Sequence, residues 1–164
     1  IRRQRQMCIR DRGYHSDAAR THAVGEVSEE AKKLIQVTKE CFFEGIKYAK
    51  AGNHLFDISG AIGRYAEERG YGVVRDLCGH GIGTALHEAP EIPNYEVGRK
   101  GVKLRPGMTL AIEPMINIGT YEVDWLDDDW TVVTRDGSLS AHYENTILIT
   151  EGEPRILSLT CDNE

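Results

Sequence analysis

The apolar residues of this chain change period once, and that change limits its architecture more than any other feature. From Ser28 to about Ala51, Leu34, Ile35, Thr38, Cys41, Phe42 and Ile46 recur near 3.6 residues, the spacing of one helix face. Ser28 can cap the start, Glu29 and Glu30 suit the first turn, and Gly52 can close the end. A second helix is expected from Leu55 to Arg69, with Ile58, Ile62 and Ala66 on one stripe and Gly70 just beyond it. The rest reads as strands: "YGVVRDL", then "MTLAIEPMINI" interrupted by Pro114, then "DWLDDDWTVVTRDGSLSAHYENTILIT" divided by acidic and "RDGS" turns. Two helices followed by mostly antiparallel strands make an α+β layout, with the helices against one face of the sheet.

With 164 residues, 40% hydrophobic and 28% charged, the chain suits one domain with one full core. Its net charge is −6, and its basic residues cluster only at Arg2, Arg3, Arg5, Arg10 and Arg12, so no nucleic-acid partner is expected. No apolar run could span a bilayer, so no membrane partner is expected either. Cys8, Cys41, Cys78 and Cys161 lie far apart without a CxxC pair, which suits a reducing cytosol. No apolar segment follows the basic start, so no signal peptide is expected. Residues 1–12, "IRRQRQMCIRDR", follow neither period and are expected to be a non-native or disordered segment.

Three residues invite chemistry. In an extended "TLAIEPM", Glu113 shares a face with Thr109, Ala111 and Met115, opposite Leu110 and Ile112. A carboxylate among such neighbours must be paired, protonated or bound to a metal. In "SAHYENTILIT", Glu144 falls with His142, Thr146 and Leu148, opposite Tyr143, Asn145, Ile147 and Ile149. In "CGHGIG", Gly79, Gly81 and Gly83 frame His80, allowing unusual backbone conformations or a close approach, and suiting the imidazole to ligation. Each has a plainer reading in isolation: an exposed or ion-paired carboxylate, a turn histidine. The glycines lack the third position of a dinucleotide fingerprint. Cys78 reads as a small packing residue rather than a nucleophile. Asp124, Asp127, Asp128 and Asp129 form a solvated acidic turn without calcium-loop spacing. His15, His22, His54 and His142 read as ordinary polar positions.

Taken in order, "GYHSDAARTHAVG", "CGHGIGTALHEAP", "LRPGMTLAIEPMI" and "SLSAHYENTILIT" resemble the type I methionine aminopeptidases of the pita-bread metallopeptidase group, from about Gly13 to Leu159. The resemblance implies a pita-bread fold and a site for two divalent ions, manganese, iron, cobalt or zinc. Asp17 and Glu144 match its bridging carboxylates, His80 its one histidine ligand, and Glu113 a glutamate on the same ion as His80. Glu113 would also move the proton between water and leaving amine. His87 matches a substrate-contacting histidine beside the scissile amide, and Met115 and Trp130 match positions near the pocket for the methionine side chain, where core packing is an equal reading. The implied reaction is attack of metal-activated water on the first peptide bond of nascent polypeptides, in the cytoplasm and near the ribosome.

The match departs from the family at its start. The family's aspartate eleven residues before Asp17 is here Gln6, and the family's first half precedes the matching region. The chain is therefore expected to be an N-terminally truncated domain, residues 13–164 being its C-terminal part. It is expected to bind one ion better than two, to have weak or no peptidase activity, and to expose apolar surface on one side of the sheet. There are two other readings: an X-Pro peptidase like the prolidases and aminopeptidases P, which share the fold and ligand pattern, and a non-catalytic pita-bread binding module, against which the retained Asp17, His80, Glu113 and Glu144 argue.

Overall fold

The computed structural model describes the backbone of residues 2–6 and the whole of residues 9–159. β1 (Arg2–Gln6), β2 (Ile9–Asp11), β3 (Tyr14–Ser16) and β4 (Ala18–Ala23) precede α1 (Glu29–Ile46) and α2 (Leu55–Glu67). Nine strands follow: β5 (Gly72–Val73), β6 (Gly79–Gly81), β7 (Glu88–Ile92), β8 (Thr109–Ile112), β9 (Met115–Asn117), β10 (Val123–Trp125), β11 (Val132–Thr134), β12 (Ser140–Leu148) and β13 (Arg155–Ile156).

The α+β expectation holds. The main sheet runs β1-β4-β12-β8-β6-β7, with β9 and β13 also on β12 and β5 on β9. Every pairing is antiparallel. β2 with β3, and β10 with β11, form separate hairpins. Within residues 1–12, β1 pairs along β4 from Arg2↔Ala23 to Gln6↔Ala19. Met7, Cys8 and Cys161 lie outside the described residues, as does the side chain of Gln6.

α1 starts where the sequence places its cap: the Ser28 hydroxyl accepts from the Ala31 N–H at 3.2 Å. It stops at Ile46, five residues short of Ala51, and an irregular turn runs on to Gly52 at φ +95°. α2 starts at Leu55, where the Asp57 carboxylate accepts the His54 N–H at 2.8 Å. The two helices cross at Gly45, where an added Cβ would lie 2.6 Å from Ile62. "YGVVRDL" gives a strand of only two residues, and beyond it the Arg75 guanidinium lies over the Tyr121 ring at 4.2 Å.

Leu34, Val37, Phe42, Ile58 and Ile62 of the helices join Leu110, Ile112, Tyr143, Ile147 and Ile149 of the sheet in one buried cluster. The Phe42 and Tyr143 rings meet at 5.4 Å. Each fully buried Leu, Ile or Phe contributes about 1.5–3 kcal/mol, so this cluster holds the helices to one face. By alternation, the opposite face of β8 and β12 carries Ala111, His142, Glu144 and Thr146. Large exposed apolar side chains include Ile9 and Tyr14 on the first hairpin and Trp125, Leu126, Trp130 and Val133 on or beside the second. Among the described residues no helix is long and apolar enough to cross a membrane.

Candidate metal centre

The helix-free face of the sheet gathers the acidic and imidazole groups in successive cross-strand rows. Thr146 pairs with Ala111, and Ala111 pairs with His80 on its other side. Asp17 directly precedes β4, and its carbonyl accepts from the Thr146 N–H at 3.1 Å, extending the β4–β12 register by one position. Asp17, Thr146, Ala111 and His80 thus lie in one row across four chain segments. The two residues in the middle, Thr146 and Ala111, are small and buried.

The next row holds Ala19 against Glu144, with Glu113 on the far side of Glu144. β12 passes from β8 to β9 without slipping, since Asn145 faces Ile112 and His142 faces Met115. Glu113 therefore stands across from Glu144 and Pro114 across from Tyr143. Proline has no N–H for the ladder, and its carbonyl instead accepts from Tyr143 at 3.2 Å. Buried Asn94 donates to the Glu113 carbonyl at 3.1 Å and fixes its backbone. In the third row Thr21 takes both backbone groups of His142: its hydroxyl accepts the His142 N–H at 2.8 Å and donates to the His142 carbonyl at 3.0 Å.

The glycines around His80 are needed for space rather than for conformation. Neither Gly79 nor Gly81 has a positive φ. A Cβ on Gly79 would run into the Ala111 carbonyl, and one on Gly81 into the Ala89 carbonyl. β6 is packed between two strands too closely for any side chain beside the histidine. The His15 N–H donates to the Gly83 carbonyl at 2.7 Å, which ties the strand leading to Asp17 onto this loop.

Asp17, His80, Glu113 and Glu144 are all buried, and Asp17 and Glu144 completely so. One ligand atom each of Asp17, His80 and Glu144 lie within 4.8 Å of one another, and the same is true of Glu113, His142 and Glu144. His80 Nε2 is 3.5 Å from Glu113 Oε1, which links the two groups. His80 Nδ1 lies 2.9 Å from the Gly81 carbonyl, which can only accept, so Nδ1 carries the hydrogen and a neutral ring turns its Nε2 lone pair toward Glu113. Two lone-pair atoms about 3–3.5 Å apart match donors sharing an ion at about 2.0–2.2 Å from each.

Glu144 shows most clearly that the cluster suits a cation. Both its oxygens are buried without a hydrogen-bond partner among the described residues. Burial, then the charges of Glu113 and Asp17, push its carboxyl up to about 9, and Arg20 opposes this only in part. Arg20 reaches the backbone carbonyl of Glu144 rather than its carboxylate. Carboxylates and an imidazole arranged in this way fit a divalent cation. The thiol of Cys78 is shifted upward, by burial and then by Glu91, the opposite of an activated nucleophile.

The His87 ring meets His80 edge-on at 4.3 Å and is itself exposed, at the open side of the cluster. Met115 is partly buried opposite His142. Trp130 is 85% exposed between β10 and β11, and so is not a core residue. His142 corrects the sequence reading: it is no ordinary polar position, for its side chain is only 12% exposed and Nε2 lies 3.5 Å from Glu113 Oε2. The signal was its place two residues from Glu144 on the same strand face.

The profile of metallopeptidase family M24 matches residues 6–151. The methionine aminopeptidase of Clostridium acetobutylicum is 60% identical over 147 residues, covering 90% of this chain and 59% of that protein. The crystal structure of methionine aminopeptidase from Thermotoga maritima is 49% identical with a TM-score of 0.88, over 91% of this chain and 60% of that one. The prolidase from Pyrococcus furiosus is more distant, at 26% identity and a TM-score of 0.75, over 97% of this chain and 41% of that one. The chain spans about 59% of the length of its first curated relative.

Proposed function

Because the chain belongs to metallopeptidase family M24, we propose that residues 13–164 form the metal-bearing, C-terminal part of a domain that removes methionine from the N-termini of nascent polypeptides. The observation that carries this reading is the convergence of Asp17, His80, Glu113 and Glu144 on one sheet face, with the Glu144 carboxylate lacking a hydrogen-bond partner among the described residues. The higher identity to methionine aminopeptidases than to prolidase favours methionine over X-Pro peptides.

In this reading Asp17, His80, Glu113 and Glu144 would hold a divalent ion, and Asp17 and Glu144 would also serve a second. When bound, a divalent cation supplies a Lewis acid that polarises the amide carbonyl and lowers the pKa of water. Glu113 takes the proton from the attacking water and returns it to the leaving amine. His87, at the open side beside His80, holds the scissile amide. Met115, with Trp130 on the hairpin, offers apolar surface to the methionine side chain. Oxygen donors with one imidazole accept manganese, iron, cobalt or zinc. Glutamine at position 6 would leave a second ion one carboxylate short, so one ion would bind better than two and turnover would be weak or absent. Such a protein works in the cytoplasm, close to the ribosome that supplies its substrate.

The test is release of methionine from Met-Ala-Ser against cleavage of an X-Pro peptide, with and without added divalent metal. Metal-dependent methionine release supports the proposal. Preferential X-Pro cleavage replaces it with a prolidase-like activity, and silence on both with metal bound makes the chain a binding module.

A further inference from the structure

We infer that His142 is a positioning residue for Glu113, donating from Nε2 to Glu113 Oε2 and so holding the other oxygen, Oε1, toward His80 and the metal; this rests on the metal site proposed above.

The Glu113 carboxylate stands between two imidazoles. Oε1 faces His80 Nε2 and Oε2 faces His142 Nε2, each at 3.5 Å. The two rings differ in what they present. His80 commits Nδ1 to the Gly81 carbonyl and offers a lone pair, which is what a cation requires. His142 Nε2 is buried with no hydrogen-bond partner among the described residues, and a buried N–H left without one costs about 1–3 kcal/mol. An ionised carboxylate only accepts, so Nε2–H is the form that satisfies both groups. A shift of about half an ångström brings the pair into ordinary N–H···O range. The ring is delivered from a rigid part of the sheet, because Thr21 binds both backbone groups of His142.

Of the two oxygens of Glu113, one would then be reserved for the metal and one for His142. Without that constraint the carboxylate can rotate, and its reach toward the ion becomes one of several rotamers. Outer partners of this kind are typically worth about 10–100-fold in metal affinity.

The experiment is calorimetric titration of cobalt(II) into the full chain and its H142A, H142N and H142Q variants, with the visible absorption spectrum of each cobalt complex. Glutamine can carry an N–H to the same place, whereas asparagine is one methylene too short. We expect H142A and H142N to bind cobalt about 10–100-fold more weakly and H142Q to bind within about threefold of the parent, with the cobalt bands unchanged in position in every variant. We also expect the H142A loss to disappear in an E113Q background, since the effect passes through Glu113. Circular dichroism of the metal-free variants identifies any that misfold; the comparison of H142N with H142Q, equal in polarity, then carries the test. Unaltered affinity in H142N would overturn the inference. So would a loss in H142Q accompanied by shifted cobalt bands, which would make His142 a ligand itself. Failure of the parent chain to bind cobalt would sink the metal site, a different result from either of these.

Discussion

Glu113 and Glu144 stand opposite each other on neighbouring segments of one sheet, both buried, and among the described residues neither oxygen of Glu144 has a hydrogen-bond partner. Two facing carboxylates in so little water repel, and a fold that relied on them for stability would gain by replacing one. The arrangement is therefore best explained by what it can hold.

The metal-free protein should lose stability as pH rises. Glu144 titrates near 4.5 when unfolded and about 9 when folded, so between those values the folded state binds the extra proton. Stability then falls with pH, by up to about 1.4 kcal/mol per unit from this group. Denaturant titrations of the metal-free chain from pH 5 to 9 should show the decline, and Glu144→Gln should flatten it. An unchanged slope in that variant would assign the effect elsewhere.

Saturating divalent metal should reverse this trend. Binding needs the ionised carboxylate, so it releases a proton below about pH 9 and tightens as pH rises. Calorimetry in buffers of different ionisation enthalpy reads the released proton directly. Stoichiometry near one tight ion per chain is expected, and two equally tight ions would contradict the role given to Gln6.

His80→Ala and Asp17→Asn remove groups proposed as direct ligands. Their metal affinity should drop by more than the roughly 100-fold upper range for an outer partner. Methionine release, where the parent chain shows it, should fall in parallel, and melting of the metal-free variants should shift little or upward. Parent-like affinity in either variant would remove that residue from the site.

Gly81→Ala tests the close approach of β6 to its neighbours. The added methyl meets the Ala89 and Glu88 carbonyls, which belong to backbone and cannot rotate away. A cost of about 1–3 kcal/mol in denaturant midpoint analysis is expected, with weakened metal affinity because His80 shifts along with its strand. Parent-like stability would mean that β6 can relax.

Much of this site was legible from strand alternation. The same rule that put Leu110 and Ile112 in the core put Glu113 on the other face, and it grouped His142, Glu144 and Thr146. The role of His142 was missed because alternation gives a face and not a neighbour: its closeness to Glu113 depends on β12 keeping register past Pro114. Glycine at 79 and 81 suggests conformational freedom as much as close approach, and the actual constraint comes from the carbonyls of Ala111 and Ala89, which only the sheet brings there. The short α1 and the two-residue β5 show the usual limit at element ends, where tertiary contacts such as Arg75 on Tyr121 decide the boundary.

By itself the sequence determined the local periods, the caps, the face on which each carboxylate would lie and, through four motifs in order, the family. Only the tertiary structure decided that Asp17, His80, Glu113 and Glu144 share one space, that His142 joins them, and that Trp130 does not join the core. Periodicity follows from the geometry of a single strand or helix, whereas distance between remote residues depends on strand order and register, which are set by packing of the whole chain.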